Sequence, residues 1–507
     1  MAKNVASVQQ NPQLEQKGIL KWIEKVGNKL PHPFMLFFYL CLIIMVLSAV
    51  LAGVSVVHPG DGKTIVVQSL LTQEGFHWML TSAVKNFTEF PPLGLVLGMV
   101  LGIGLAERVG LIEAVLRKMM SGVPKQLLSF SVVFVGVLGN LASDAAWVII
   151  PPIGALLFLA AGRHPIAGFA AAAAGVGSGF TANLFIAGTD ALLSGIADKV
   201  AKTIDPNIGV SPVDNWYFMA VSVFILALIG TWITDKIIEP RLGVYQGESK
   251  ETLTALSENE NKALKWAGIA ALVYIGIVAM LVVPEGALLR DPETGAILNS
   301  PFLKGIIPLI MLFFITVSVT YGLKVGRIKS QADVPKLMGE SIKDMSGFIV
   351  LVFVIAQFIA YFNWSNIGIM LAVKGAEFLN SINLTGFPVL LGFSLLTCVV
   401  SLFVASGSAL WALLAPVFIP MLMLMDFHPA FIQVAYRIAD SATNTITPMN
   451  PYLPMMLVYY QQYKKDSGLG TVISTMMPYA VAFYAVWVVM MFIWYVFGLP
   501  IGPGVTS

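Results

Sequence analysis

The chain has 507 residues, 57% hydrophobic and 11% charged, and its 30 Lys and Arg against 28 Asp and Glu leave a formal net charge of +2. A soluble globular domain carries roughly 25% charged residues. The composition therefore marks an all-α polytopic membrane protein, with membrane lipid rather than nucleic acid as its expected partner.

Residues 1–32 are polar, hold Lys17, Lys21, Lys25 and Lys29, and read as a cytoplasmic N-terminal segment; the apolar run 33–57 is too long for a signal-peptide core and reads as a retained first span. Spans of roughly 20 apolar residues follow at 91–108, 165–189, 216–238, 264–283, 303–322, 347–373, 429–460 and 473–498, giving nine transmembrane helices within 33–498 and a periplasmic tail at 499–507. Two further apolar regions, 126–161 and 387–425, are interrupted by "GNLASD" (139–144) and "ASGSA" (405–409). The first half of the earlier one, 126–139, has only about 14 residues, so each region reads as a re-entrant hairpin rather than as two full crossings. With the N-terminus inside, 22 of the 30 Lys and Arg fall on inner segments and 6 on outer loops, which satisfies the positive-inside rule. Cys41 and Cys398 lie in apolar runs without metal-ligand spacing, so neither a disulfide framework nor a zinc site is expected.

The chain repeats itself. "AAWVIIPPIGALLFLAAGRHP" (145–165) and "ALWALLAPVFIPMLMLMDFHP" (409–429) share Trp147 with Trp411, Pro152 with Pro416 and His164-Pro165 with His428-Pro429 at a constant offset of 264 residues, which also lays "GSGFTAN" (177–183) over "SATNTIT" (441–447). Five expected spans lie between the two His-Pro turns, an odd number, so the repeats are inverted. Repeat one covers its hairpin and broken helix at about 126–189, repeat two at about 387–460. Inverted repeats with hairpins and helices broken by small polar residues are the architecture of secondary transporters, whose ions and substrates bind where half-helix ends meet. Hydroxyls, amides and freed carbonyls at such breaks suit a hard cation such as Na⁺. The candidate ion ligands are Asn140, Ser143, Asp144, Ser178, Thr181 and Asn183 in repeat one, and Ser406, Ser408, Ser441, Asn444 and Thr445 in repeat two.

In "RIADSATNTITPMNP" (437–451), Arg437 and Asp440 have Ala173 and Val176 as counterparts, so this pair belongs to one repeat alone. Spaced i, i+3, they share a helix face and can partly neutralise each other. Intramembrane charges mark pathways or ligands. Arg437 suits an organic anion; Asp440 suits a proton or the orienting of the guanidinium. Asp144 and Asp190 are the other acidic candidates, Asp190 at the outer end of its span, where it could also be a loop residue. Histidines 32, 58, 77, 164 and 428 fall at turns or loops, His164 and His428 as turn residues.

The sequence resembles the p-aminobenzoyl-glutamate transporter (AbgT) family of bacterial inner-membrane proteins in "GNKLPHPF" (27–34), "LAERVGL" (105–111), "GRHPIAG" (162–168), "GVGSGFTANL" (175–184), "DNWYFM" (214–219), "TDKIIEPRLG" (234–243), "ASGSALW" (405–411) and "RIADS" (437–441). The resemblance implies a homodimer, nine spans with two hairpins per subunit, and transport of p-aminobenzoyl-glutamate or related p-aminobenzoate compounds driven by a gradient of H⁺ or Na⁺. It also implies, as an alternative, proton-driven efflux of sulfonamide antimetabolites. Its functional residues fall here on Asp190, Trp411, Pro429, Arg437, Asp440 and Pro448. An aromatic amide of glutamate offers two carboxylates and a ring, which Arg437 and Trp411 could take; Trp411 could equally be a packing residue of its hairpin.

A channel or uniporter for organic anions is the more remote alternative, distinguished by the absence of accumulation against a gradient. No paired catalytic aspartates, and no Ser with His at membrane depth, point to an intramembrane protease, so neither an enzyme nor an organic cofactor is expected. No GxxxxGK[ST] loop occurs, so ATP-driven transport would need a separate subunit.

Overall fold

The computed structural model describes residues 31–57, 62–120, 123–142, 145–245, 247, 256–297, 300–404 and 406–506. Ser143, Asp144 and nearly all of the expected 1–32 segment lie outside the described residues. In chain order, α1 (Pro33–Val50) is followed by α2 (Gln73–Thr88), which runs into α3 (Pro91–Arg108), and by the short α4 (Leu111–Met120). A helical hairpin, α5 (Leu128–Leu138) and α6 (Ala145–Ala160), leads to a broken helix, α7 (Pro165–Ser178) and α8 (Gly188–Ala201), and then to the long α9 (Trp216–Leu242). After α10 (Glu258–Val282), α11 (Ile306–Val325), α12 (Asp333–Asp344), α13 (Ser346–Trp364) and α14 (Ile367–Ser381), the same scheme returns. A second hairpin, α15 (Phe387–Ser401) and α16 (Gly407–Met423), leads to a second broken helix, α17 (Pro429–Asn444) and α18 (Leu453–Tyr463), and to the long α19 (Leu469–Phe497). The offset of 264 residues carries the first residue of α7 onto the first residue of α17.

Local sequence explains these boundaries. Each repeat enters its broken helix through a His-Pro pair whose proline takes the first helical position, where a missing N–H does no harm. The histidine is the cap: His164 Nδ1 accepts from Ile166 N, and His428 Nδ1 from Ala430 N, both at 3.2 Å. These two imidazoles are thus spent on backbone, as turn residues. The expected span 91–108 is extended backwards by α2 into a 36-residue helical stretch. The expected span 347–373 is cut at Asn366, whose φ of 61° stops α13 and starts α14.

Among the described residues seven helices, counting α2 with α3 as one, are long and apolar enough to cross a membrane. The other two expected spans, 165–189 and 429–460, are the broken helices, whose first halves have only 14 and 16 residues. On α10, Trp266, Leu272 and Met280 are exposed, which suits a face solvated by acyl chains rather than water.

The first hairpin is held to its broken helix by close backbone contact rather than by large side chains. Every residue of α7, "PIAGFAAAAAGVGS", is buried. A methyl group on Gly168 would come within 2.3 Å of Gly154 O on α6, and one on Gly175 within 2.5 Å of Val133 O on α5. Such small-residue seams let membrane helices approach closely where no hydrophobic effect drives them together.

At their chain-reversal ends the two repeats are fastened differently. Between α6 and α7, Arg163 forms ion pairs of 2.5 Å with both Asp235 and Glu239 of α9, donates to Ser129 Oγ of α5 at 2.8 Å, and lies 4.1 Å from the centroid of the Phe158 ring. The corresponding end of repeat two is aromatic: Phe393 packs on Phe418 at 4.7 Å, and Phe427 on Tyr495 at 6.1 Å, between ring centroids.

Candidate functional site

The breaks of both repeats and the tip of the second hairpin enclose one cavity of about 670 Å³. Its wall is made largely of helix beginnings: Trp147 near the start of α6, Thr189 near that of α8, Ser406 to Ala409 at that of α16, Asn450 to Tyr452 just before α18, and His32 with Pro33 at that of α1. Each N-terminus carries N–H groups and about half a positive charge, an attraction for anions that Asp190 in the first turn of α8 and Asp440 beside the start of α16 offset in part; no Lys or Arg is among the described residues that line the cavity. Phe180, Phe403 and Leu192 supply apolar wall, and Ser406, Ser408 and Asn444 polar points.

Arg437 lies one layer behind. Its side chain is 1% exposed and pairs with Asp190 Oδ1 at 2.7 Å, while Nη2 donates to Phe180 O and the guanidinium stands 5.4 Å from the Phe180 ring centroid. Its Nε is buried without a hydrogen-bond partner. The ion pair therefore runs to the aspartate of the opposite repeat, while Asp440, the i, i+3 neighbour on the same helix, interacts with the guanidinium through its charge. Asp190 is no loop residue: it is buried in the first turn of α8, and Oδ2 accepts from Ala187 N at 2.7 Å. Asp440 is also buried and faces the start of α16, where a methyl group on Gly407 would come within 2.7 Å of Oδ2.

Trp411 does not line the cavity. It is fully buried, donates from Nε1 to Leu193 O at 3.0 Å, and packs on Tyr436 with ring centroids 4.6 Å apart. Its repeat counterpart Trp147 does line the cavity, stacked on Tyr452 at 5.6 Å and 8°. Pro429 starts α17, and Pro448 sits half-buried in the break between α17 and α18.

The candidate ion ligands divide. Thr181 Oγ1 bonds both Arg437 O, at 2.7 Å, and Ser441 Oγ, at 2.5 Å, tying the two breaks together. Ser178 Oγ donates to Gly175 O at 2.9 Å, and Thr445 Oγ1 to Ala442 O at 3.4 Å, each within its own helix end. Ser406 caps α16 and bonds Ser408 Oγ at 3.3 Å. Asn183 Oδ1 accepts from Phe185 N at 3.1 Å, and its buried unpartnered group is the Nδ2 donor, which suits an oxygen of a ligand rather than a cation. Asn140 lies apart, with Glu107, Ser341 and Asp344, in a second cavity of about 290 Å³ that reaches the same Thr189. Thr189, Asn450 and Tyr452 were not among the expected site residues. Asn450 closes the polar stretch 437–451, where its capping role carries no signal of its own, Tyr452 lies just past that stretch, and Thr189 stands beside the more conspicuous Asp190.

Known proteins match this chain along nearly all of its length. The model of the AbgT putative transporter family matches residues 18–507. The p-aminobenzoyl-glutamate transport protein of Escherichia coli (strain K12) is 51% identical over 497 residues, covering 97% of this chain and 98% of that protein. The crystal structure of the YdaH transporter of Alcanivorax borkumensis, reported to have an unusual topology, superposes with a TM-score of 0.90 at 39% identity, covering 93% of this chain and 100% of that one. MtrF of Neisseria gonorrhoeae, whose structure illuminates a class of antimetabolite efflux pumps, does so with a TM-score of 0.90 at 43% identity, covering 96% and 100%. A multi-pass helical chain whose doubled hairpin and broken helix surround a cavity walled by helix beginnings, and which matches these proteins from residue 18 to its end, belongs to the AbgT putative transporter family.

Proposed function

We propose that the protein is a secondary transporter carrying p-aminobenzoyl-glutamate or a related p-aminobenzoate compound across the bacterial inner membrane, driven by a cation gradient. In this reading the seven long helices and two broken helices make nine crossings, the hairpins are re-entrant, the N-terminus is cytoplasmic, and two subunits form a homodimer. The observation that carries it is the cavity walled by helix beginnings from both repeats, whose N–H groups suit the carboxylates of an organic anion. Arg437 and Asp190, behind Phe180, form an internal ion pair that a substrate carboxylate can open by competing for the guanidinium. Asp440 and the polar breaks supply the coupling ion's ligands. Efflux of antimetabolites coupled to H⁺ is the second reading, supported by the two buried carboxylates, Asp190 and Asp440, beside the cavity and by the likeness to MtrF.

Uptake of labelled p-aminobenzoyl-glutamate into proteoliposomes, with Na⁺ and pH gradients imposed separately, tests both readings. Accumulation above equilibrium under one gradient is the expected result, and Asp440→Asn is expected to abolish the dependence on a pH gradient while substrate still binds, if H⁺ is the driver. Flux that only equilibrates the substrate, with affinity indifferent to both ions, would make the protein a uniporter, because a driving cation must be bound more tightly in the presence of substrate.

A further inference from the structure

We propose that Trp147 and Tyr452 form the platform on which the cavity holds the ring of an aromatic substrate; the inference rests on the reading above, that the cavity takes an aromatic organic anion. Both rings line the cavity, one from each repeat, and they stack 5.6 Å apart and only 8° from parallel. Offset parallel stacking at such spacing is a favoured aromatic arrangement, and a third ring entering the cavity extends it. Trp147 is 6% exposed and backs the half-buried Tyr452.

The platform is built rigidly. A methyl group on Gly177 of α7 would come within 3.3 Å of the Trp147 ring, so α7 packs directly against the indole and fixes its plane. Tyr452 is set by Asn450, whose Oδ1 accepts from Tyr452 N at 2.9 Å while its Nδ2 donates to Asn444 O at 2.9 Å. The break in repeat two is thereby folded so that the ring faces inward.

Repeat symmetry isolates this pair. At the 264 offset the counterpart of Tyr452 is Gly188, and the counterpart of Trp147 is Trp411, whose ring is covered by Tyr436 and whose indole N–H is spent on Leu193 O. Among the described residues, therefore, no second stacked pair borders the cavity at the symmetric position, and a substrate ring has one such platform to lie on. Its carboxylates are left to point toward the helix beginnings at Thr189 and at Ser406 to Ala409.

Equilibrium binding to the purified full-length protein tests this with two ligands: p-aminobenzoyl-glutamate, and cyclohexanecarbonyl-glutamate, which keeps the amide and both carboxylates but has no π face. The unmodified protein is expected to prefer the aromatic ligand about tenfold. Tyr452→Leu is expected to erase that preference while Tyr452→Phe retains it, and Trp147→Leu to reduce it. A merely structural role would weaken both ligands in parallel, and a preserved preference in Tyr452→Leu would overturn the platform. Failure of the unmodified protein to bind p-aminobenzoyl-glutamate at all would instead overturn the functional reading on which the platform depends.

Discussion

Arg437→Ala is expected to abolish transport and to destabilise the protein by about 3–5 kcal/mol, since it leaves Asp190 as a buried carboxylate without its partner. Both side chains of the pair are 1% exposed, so water cannot take over the role of the missing guanidinium. Arg437→Lys keeps the charge but loses the planar fork that reaches Asp190 and Phe180 O together. It should lie between the unmodified protein and Arg437→Ala in thermal stability and should transport poorly. The double variant Asp190→Asn with Arg437→Gln removes both charges at once. It is expected to recover most of the lost stability and none of the transport, which separates holding the fold from handling the substrate. Thermal unfolding in detergent and flux in proteoliposomes read the two quantities; full stability of Arg437→Ala would mean that the ion pair does not hold the repeats together.

Gly168→Val is expected to have an effect of the same order on folding. A side chain at this position meets Gly154 O at 2.3 Å and the Phe158 ring at 2.6 Å, and backbone cannot step aside as a side-chain tip can. The hairpin must then move away from α7, at about 3 kcal/mol or more. Gly276→Val on α10, where a methyl group meets nothing within 4 Å, supplies the control and should leave yield and unfolding temperature unchanged. Equal yields of the two variants would show that the hairpin seam is not tightly packed.

Much of this architecture is legible in the sequence because membrane helices and internal repeats leave strong marks. The offset between the His-Pro pairs fixes the registration of α7 with α17, and the polar interruptions place both hairpin tips and both breaks. The cut at Asn366 is less legible, because it is made by one left-handed residue inside an apolar run. The partner of Arg437 was out of reach for a different reason. Helix spacing reports neighbours within one element, whereas Asp190 approaches Arg437 across 247 residues of chain through the contact of two broken helices. Trp411 and Trp147 show the same limit: the sequence makes them equivalent, and only packing decides that one is covered by Tyr436 while the other borders the cavity.

The unlike fastening of the two repeat ends has a consequence for the resting state of the molecule. Two identical inverted repeats would exchange roles between the inward- and outward-facing forms, and the two forms would then be equally populated. Whatever differs between the repeats sets the ratio, and about 1.4 kcal/mol of difference shifts it tenfold. The charged cluster around Arg163 and the aromatic cluster around Phe393 and Phe427 are such a difference. They also answer to different conditions, because ionic strength weakens partly exposed ion pairs and leaves ring packing nearly untouched. In the proposed cycle, salt on the cytoplasmic side therefore acts on the direction the empty carrier prefers to face, independently of any ion that rides with the substrate.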